Sequence, residues 1–204
     1  MKRNEKIIKL YDSRASEYDD WFERHDDVFQ KELALLREHL FSSKKSLEVG
    51  IGSGRFASAL RLSKGIDPSQ EMIKLCKEKR IDAVLGVAEN LPFESGEFEQ
   101  VFFITSLCFV EDADMAIAEA SRVLKNDGII TIAFIDKNSA MGTMYQEKRG
   151  EYFEDAVFLT ADELLLRMEK FEFKYFKMSG INFSTAINEP PFDFCVMSFR
   201  KIIP

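Results

Sequence analysis

Residues that bind metals or cross-link chains are scarce in this 204-residue sequence, with three cysteines and two histidines in all. Cys76, Cys108 and Cys195 are odd in number and far apart, which excludes a disulfide framework and points to a reducing compartment. No Cys/His cluster has metal-ligand spacing, so no structural metal is expected. Positive charge is also short: 28 Lys and Arg against 35 Asp and Glu leave a net charge of −7. That balance argues against a nucleic-acid binder or a binder of anionic membranes, since both need positive fields. No apolar run reaches the roughly 18 residues needed to span a bilayer. Met1-Lys2-Arg3-Asn4-Glu5-Lys6 is charged and lacks the apolar centre of a signal peptide, so a cytoplasmic protein is expected. There is no repeat, no low-complexity tract and no long linker. The expectation is a single domain over 1–204.

What is present is an alternation of strand and helix patterns. Residues 3–12 and about 27–40 carry apolar side chains at helical spacing, with a Tyr- and Asp-rich stretch, Tyr11 to Phe22, between them. From Lys45 onward, strands are predicted at 46–50, 64–67, 83–87, 98–105 and 129–135, with helices between them at about 54–62, 69–80 and 112–124. Ser69 can N-cap the second of these helices. Asn126-Asp127-Gly128 reads as a turn before the fifth strand. Strands this continuously apolar are usually parallel and covered on both faces, which predicts a doubly wound α/β sheet. Residues 137–159 are irregular or partly helical. A Thr160/Glu163 capping box then opens a helix at 161–170. Phe171 to Met178 and Phe192 to Arg200 have no helix between them and should pair antiparallel. Segments 1–44, 45–136 and 137–204 are thus read as a helical lid, a ligand-binding core, and an insertion with a closing hairpin.

The chain is organised around Ser46 to Phe56. A short apolar strand ends in Gly50, Gly52 and Gly54, and a helix follows directly. Such a turn lets a ligand approach bare backbone near a partly positive helix N-terminus. Doubly wound sheets bind ligands at the carboxyl ends of their strands. Those ends here carry Glu48, Asp67, Glu89, Thr105 with Ser106, and Asp136. No lysine or arginine is aimed at a pyrophosphate. Asp67 at the end of the second strand can accept both hydroxyl protons of a ribose, or can cap a turn before Pro68. Glu48 beside the glycines would repel a pyrophosphate and attract an ammonium. The implied ligand is a nucleoside with a positive or zwitterionic tail.

Taken together, these residues resemble a class I S-adenosylmethionine-dependent methyltransferase of the broad small-molecule group. The motifs are Glu48 to Gly54, Gly65 to Ser69 with Met72, Ala88 to Phe93, Phe98 to Val110, and Arg122 to Gly128. The resemblance implies a Rossmann-like seven-stranded sheet, mostly parallel with an antiparallel last strand and helices on both faces. It also implies roles. Glu48 and the backbone of Gly50, Gly52 and Gly54 hold the methionine end. Asp67 takes the ribose, with Pro68 and Met72 packing near sugar and adenine. Ala88 and Glu89 sit at the adenine edge, Ile104 and Thr105 touch the methionine portion, and Tyr11 and Tyr18 fold over the cofactor. Two departures stand out. Val87 replaces an acid found in many relatives, and Cys108-Phe109 replaces paired histidines.

The expected reaction is direct displacement at the sulfonium methyl by a small-molecule acceptor. His25, Tyr145 and Asp136 are the general-base candidates, and none is assigned as catalytic. Two other readings remain open at this point: a cofactor-binding or sensing protein without catalysis, and an NAD-dependent oxidoreductase. The single residue between Gly52 and Gly54 speaks against the latter.

Overall fold

The apolar runs that alternate with helical spacing come together as one sheet. The computed structural model describes residues 3–42, 44–148, 152–183 and 188–202. Positions 1–2, 43, 149–151, 184–187 and 203–204, which fall in the predicted lid, insertion and hairpin, lie outside the described residues. The strands are β1 (Ser46–Val49), β2 (Lys64–Asp67), β3 (Ala83–Leu85), β4 (Phe98–Ile104), β5 (Leu124–Phe134), β6 (Phe173–Ile181) and β7 (Phe194–Lys201), in the order β3-β2-β1-β4-β5-β7-β6. β7 runs antiparallel to both neighbours, and all other pairings are parallel. The strand order reverses between β1 and β4, which places a crevice at their carboxyl ends.

Helices α1 (Arg3–Ser13), α2 (Ala15–Arg24), α3 (Asp26–Glu38), α4 (Arg55–Leu60), α5 (Gln70–Glu78), α6 (Ala113–Val123), α7 (Ala140–Lys148) and α8 (Ala161–Glu169) surround the sheet. Alternate side chains of each central strand face opposite sides, so a continuous apolar run serves two cores. Val101, Phe103, Ile130 and Ile132 pack with Ile117 and Ala120 of α6 and Leu164 and Met168 of α8. Phe102, Ala133 and Val196 pack instead with Phe29, Leu33 and Leu36 of α3 and Phe56 of α4. The N-terminal helices therefore build one of the two cores as well as lying over the cleft. No helix among the described residues is long and apolar enough to cross a membrane.

Two local readings change. The Tyr- and Asp-rich stretch contains a helix, α2, whose Phe22 makes edge contacts with the Tyr18, Phe29 and Phe56 rings. Apart from Asp19 its charges are exposed, and the density of charge masked the apolar stripe. The predicted Asn126-Asp127-Gly128 turn is an irregularity inside β5. Leu124 still pairs with Phe98, regular pairing resumes at Gln100 with Ile129, and Asp127 takes φ +59° to absorb the extra residues.

A buried polar network fastens the end of α3 to the sheet. His39 Nδ1 lies 2.7 Å from Ser198 Oγ and Nε2 lies 2.9 Å from Ser179 Oγ. Gln100 Nε2 donates to the His39 carbonyl and to Thr131 Oγ1, which also meets Ser198 Oγ. Burial holds the His39 imidazole at about 4, below its usual 6.5, with the Lys177 charge acting in the same direction. The unfolded chain thus binds the extra proton first. Stability from the neutral ring is complete above pH 6.5 and is lost as pH falls towards 4, roughly 3 kcal/mol in all. The raised carboxyls described below oppose it in the same range, so overall acid stability is a difference. Nuclear magnetic resonance of the imidazole is the direct check. We expect the ring to stay neutral at pH 5.5, and a midpoint near 6.5 would contradict its burial in this network.

Candidate functional site

A cleft of about 930 Å3, including its open mouth, lies at the carboxyl ends of β1, β2 and β4. The glycine turn forms its floor. Gly50 and Ile51 N–H both donate to the Ile66 carbonyl, at 2.8 and 3.0 Å. These bonds fold the chain back on β2. Gly52, at φ +54°, donates its N–H to Asp67 Oδ2 at 2.8 Å. Asp67 Oδ1 accepts the Ser69 N–H at 2.9 Å. One carboxylate thus ties the glycine turn to the start of α5 while each oxygen keeps a second lone pair for a ligand. Burial pushes Asp67 up to about 6, against the lowering effect of those two N–H groups. Ser69 caps α5 as expected, its Oγ accepting the Met72 N–H.

The N-terminal helices close one side. Asp12 accepts the Ser69 hydroxyl at 2.6 Å, which docks α1 on the N-terminus of α5. Tyr11 meets Tyr18 and Phe109 edge-on at 5.5 and 5.7 Å. Burial, with nearby acidic groups adding to it, raises both tyrosine hydroxyls well above their usual range, so both are neutral donors. Asp19 receives Arg55 through two nitrogens and Lys79 through one. Burial alone would raise its carboxyl, but those hydrogen bonds outweigh it and hold it at about 2. This cluster joins α2 to α4 and α5 beside the cleft.

The far walls come from β3 and β4. Thr105 sits at φ +49°, a left-handed conformation that is costly for a β-branched residue and typical of ligand sites. Val87, Ala88 and Glu89 follow β3, and Glu89 Oε1 accepts the N–H groups of Glu111 and Asp112. Arg122, paired with Glu119, donates to the carbonyls of Leu91 and Phe93 and so braces that turn from outside.

Of the residues expected from sequence, Tyr11, Tyr18, Gly50, Gly52, Asp67, Pro68, Met72, Ala88, Glu89, Ile104 and Thr105 all line the cleft. Glu48 and Gly54 do not. Gly54 begins α4, and a Cβ there would meet Ile81 and Cys76 rather than the cleft. Glu48 is buried at the end of β1, where the Ala57 N–H of α4 meets it, and its Oε2 has no partner. Burial first, then the charge of Asp67, raises its carboxyl well above the usual range. The base candidates separate as well. Asp136 accepts the N–H groups of Asn138 and Ala161, and His25 stacks on Trp21 at 4.6 Å. Both are structural. Tyr145 stacks on Phe153, a cleft residue, at 4.3 Å.

Ser106, at the end of the fourth strand, lines the cleft as its position implied; Ile7, Ile8, Phe109 and Phe153 also line it and were not anticipated. Ile7 and Ile8 belonged to a visible helical stripe, but Phe153 sits in irregular chain with no sequence signal. No lysine or arginine is among the lining residues, which carry two acids, Asp67 and Glu89. Bare backbone, an acid that can take hydroxyl donors, apolar walls at Ile66 and Met72, and no cation suit a positively charged nucleoside far better than a dinucleotide.

Comparison with known proteins agrees. A sequence family described as methyltransferase domain matches residues 47–132. An uncharacterized protein of Methanocaldococcus jannaschii is 36% identical over 172 residues, 83% of each chain. The ubiquinone/menaquinone biosynthesis C-methyltransferase of Campylobacter jejuni is 29% identical over 161 residues, covering 70% of this chain and 68% of that one. A crystal structure from Thermotoga maritima, described as a SAM-dependent methyltransferase and possible histamine N-methyltransferase, superposes with a TM-score of 0.87 at 28% identity. It covers 95% of this chain and 99% of that one.

Proposed function

The chain belongs to the class I S-adenosylmethionine-dependent methyltransferases, and on that premise we propose that it methylates a small-molecule acceptor by direct displacement. The observation that carries the reading is Asp67, joined to Gly52 and Ser69 at the end of β2 in a cleft lined by no cation. When bound, the cofactor supplies a methyl group on a positively charged sulfur. In this reading Asp67 accepts the ribose hydroxyls, Met72 and Pro68 pack on sugar and adenine, and Ala88 with Glu89 borders the adenine. The peptides of Gly50 and Gly52 and the strained Thr105 hold the methionine end, with Ile104 beside it. Glu48 keeps the glycine turn in place by meeting the N-terminus of α4. Tyr11 and Tyr18 cover the site and exclude water.

Such a displacement disperses charge, so the protein acts mainly by alignment, which can supply roughly 7–11 kcal/mol in favourable cases. The aromatic wall of Phe109, Phe153 and Tyr145 supports a small, partly apolar acceptor. Three cysteines, all free, fit a cytoplasmic setting.

Calorimetry tests the reading. S-adenosylmethionine or its demethylated product should bind at micromolar levels or tighter, with NAD inert. Binding of NAD alone would refute it. A screen of acceptors scored by formation of the demethylated cofactor then separates an enzyme from a protein that only binds the cofactor.

A further inference from the structure

Two acids of the N-terminal helices grip α5 at its opposite ends. Asp12 accepts the Ser69 hydroxyl and the Glu71 N–H at the start of that helix, at 2.6 and 3.3 Å. Asp19 receives Lys79, which caps the other end, and also Arg55, the first residue of α4. The donors of the first tie are neutral, whereas those of the second are cations, which make the stronger bonds. The second tie also reaches the glycine turn. Lys79 Nζ donates to the Ser53 carbonyl at 3.0 Å as well as to Asp19. Tyr18, one residue earlier on α2, covers the neighbouring peptide: a Cβ placed on Gly52 would lie 3.3 Å from its ring. Consecutive residues of the cover, Tyr18 and Asp19, thus meet consecutive residues of the turn, Gly52 and Ser53, the second pair through Lys79. The side chains of Asp19, Arg55 and Lys79 are 15%, 23% and 28% exposed, so water screens the cluster only in part.

Tyr18 lines the cleft with its ring against Gly52, so a ligand that settles on that peptide must displace the ring or arrive with α2 lifted. Lifting α2 means parting Asp19 from both of its cations. We propose that Asp19 is a positioning residue that latches α2 onto the glycine turn, and that parting this latch is a step in both the entry and the exit of the methyl donor. The inference rests on the methyl-transfer reading above. Every atom of the tie belongs to the protein, so it needs no ligand to form. A contact made to the ligand itself slows release alone, whereas a latch made of protein groups slows passage in both directions. Breaking it therefore changes the rates more than the affinity. Lys79 carries the link further, because the same ammonium that holds Asp19 also holds the Ser53 peptide in the turn.

Surface plasmon resonance on immobilised protein, with S-adenosylhomocysteine as the probe, reads both rate constants. We expect Asp19→Asn to raise association and release together, each roughly tenfold, the scale of a hydrogen bond to a charged group. The affinity, which is their ratio, should move by less than either rate. Lys79→Met removes the arm that reaches Ser53 and leaves Arg55 on Asp19, so it should shift both rates in the same sense by less. The double variant should fall short of the product of the two single effects, because both act on one tie. Faster release with unchanged association would make Asp19 a ligand-holding or merely structural residue. That result, unchanged rates, or a double variant showing the full product overturns the proposal. Should Asp19→Asn not fold, Lys79→Met decides on the same two rates, its side chain being the most exposed of the three. Failure of wild type to bind the probe would refute the methyltransferase reading itself, whereas normal binding with unaltered rates in the variants refutes only the latch.

Discussion

Asp67→Ala loses at least about 1–3 kcal/mol of affinity for S-adenosylmethionine, the scale of an unmade buried hydrogen-bonding partner. Calorimetry on the folded variant is the measurement, and an unchanged affinity would reduce Asp67 to a turn residue. The loss has two sources. One is the carboxylate that takes the ribose hydroxyls. The other is the tether, since the Gly52 and Ser69 N–H groups both donate to that side chain. Asp67 also gives the binding a pH dependence. Burial raises its carboxyl to about 6 in the free protein. Hydroxyl donors favour the ionised form, so binding lowers that value and protons compete with the ligand. Affinity therefore weakens as pH falls below about 6. The sign for the fold alone is opposite. A carboxyl raised above its unfolded value of 3.8 favours folding as pH drops from 6 to 3.8. Acid loosens the ligand while relieving the empty site.

Gly50→Ala is the more damaging change to the fold. Gly50 sits at φ +75°, where a side chain is strained by about 1–3 kcal/mol. A Cβ there would also lie 2.4 Å from Ser106 Cβ. Ser106 cannot simply swing away, because its hydroxyl donates to the Val49 carbonyl. Overpacking of this kind adds a further 1–3 kcal/mol or so. Urea unfolding should show a combined loss of roughly 2–6 kcal/mol, together with loss of cofactor binding. Combining Gly50→Ala with Ser106→Gly removes the clash and leaves the backbone strain, so about half the stability should return. A single variant as stable as wild type would mean the turn is more pliable than its geometry implies.

The sheet was legible because parallel strands covered on both faces are long apolar runs. Those at Phe98–Ile104 and Ile129–Phe134 could hardly be anything else. Most of the cleft's lining was legible because it sits at strand ends, and periodicity locates those ends to within a residue or two. Glu48 and Gly54 were legible as part of the motif, but their surroundings were not: Glu48 is buried against Ala57 of α4, and Gly54 caps that helix. Phe153 has meaning only through the rings stacked on it.

The bond between His39 and Ser198 spans 159 residues of chain. A ribosome releases the first three helices long before the strand that anchors them exists. Until β7 emerges and inserts beside β5, His39 lacks Ser198, and Ser179 on β6 has no neighbouring strand to hold it in place, so the tyrosines upstream lack a fixed base. Ligand capture is thus among the last properties the nascent polypeptide acquires. A chain cut short before Phe194 would forfeit not only a strand but also the cover over the other end of the molecule.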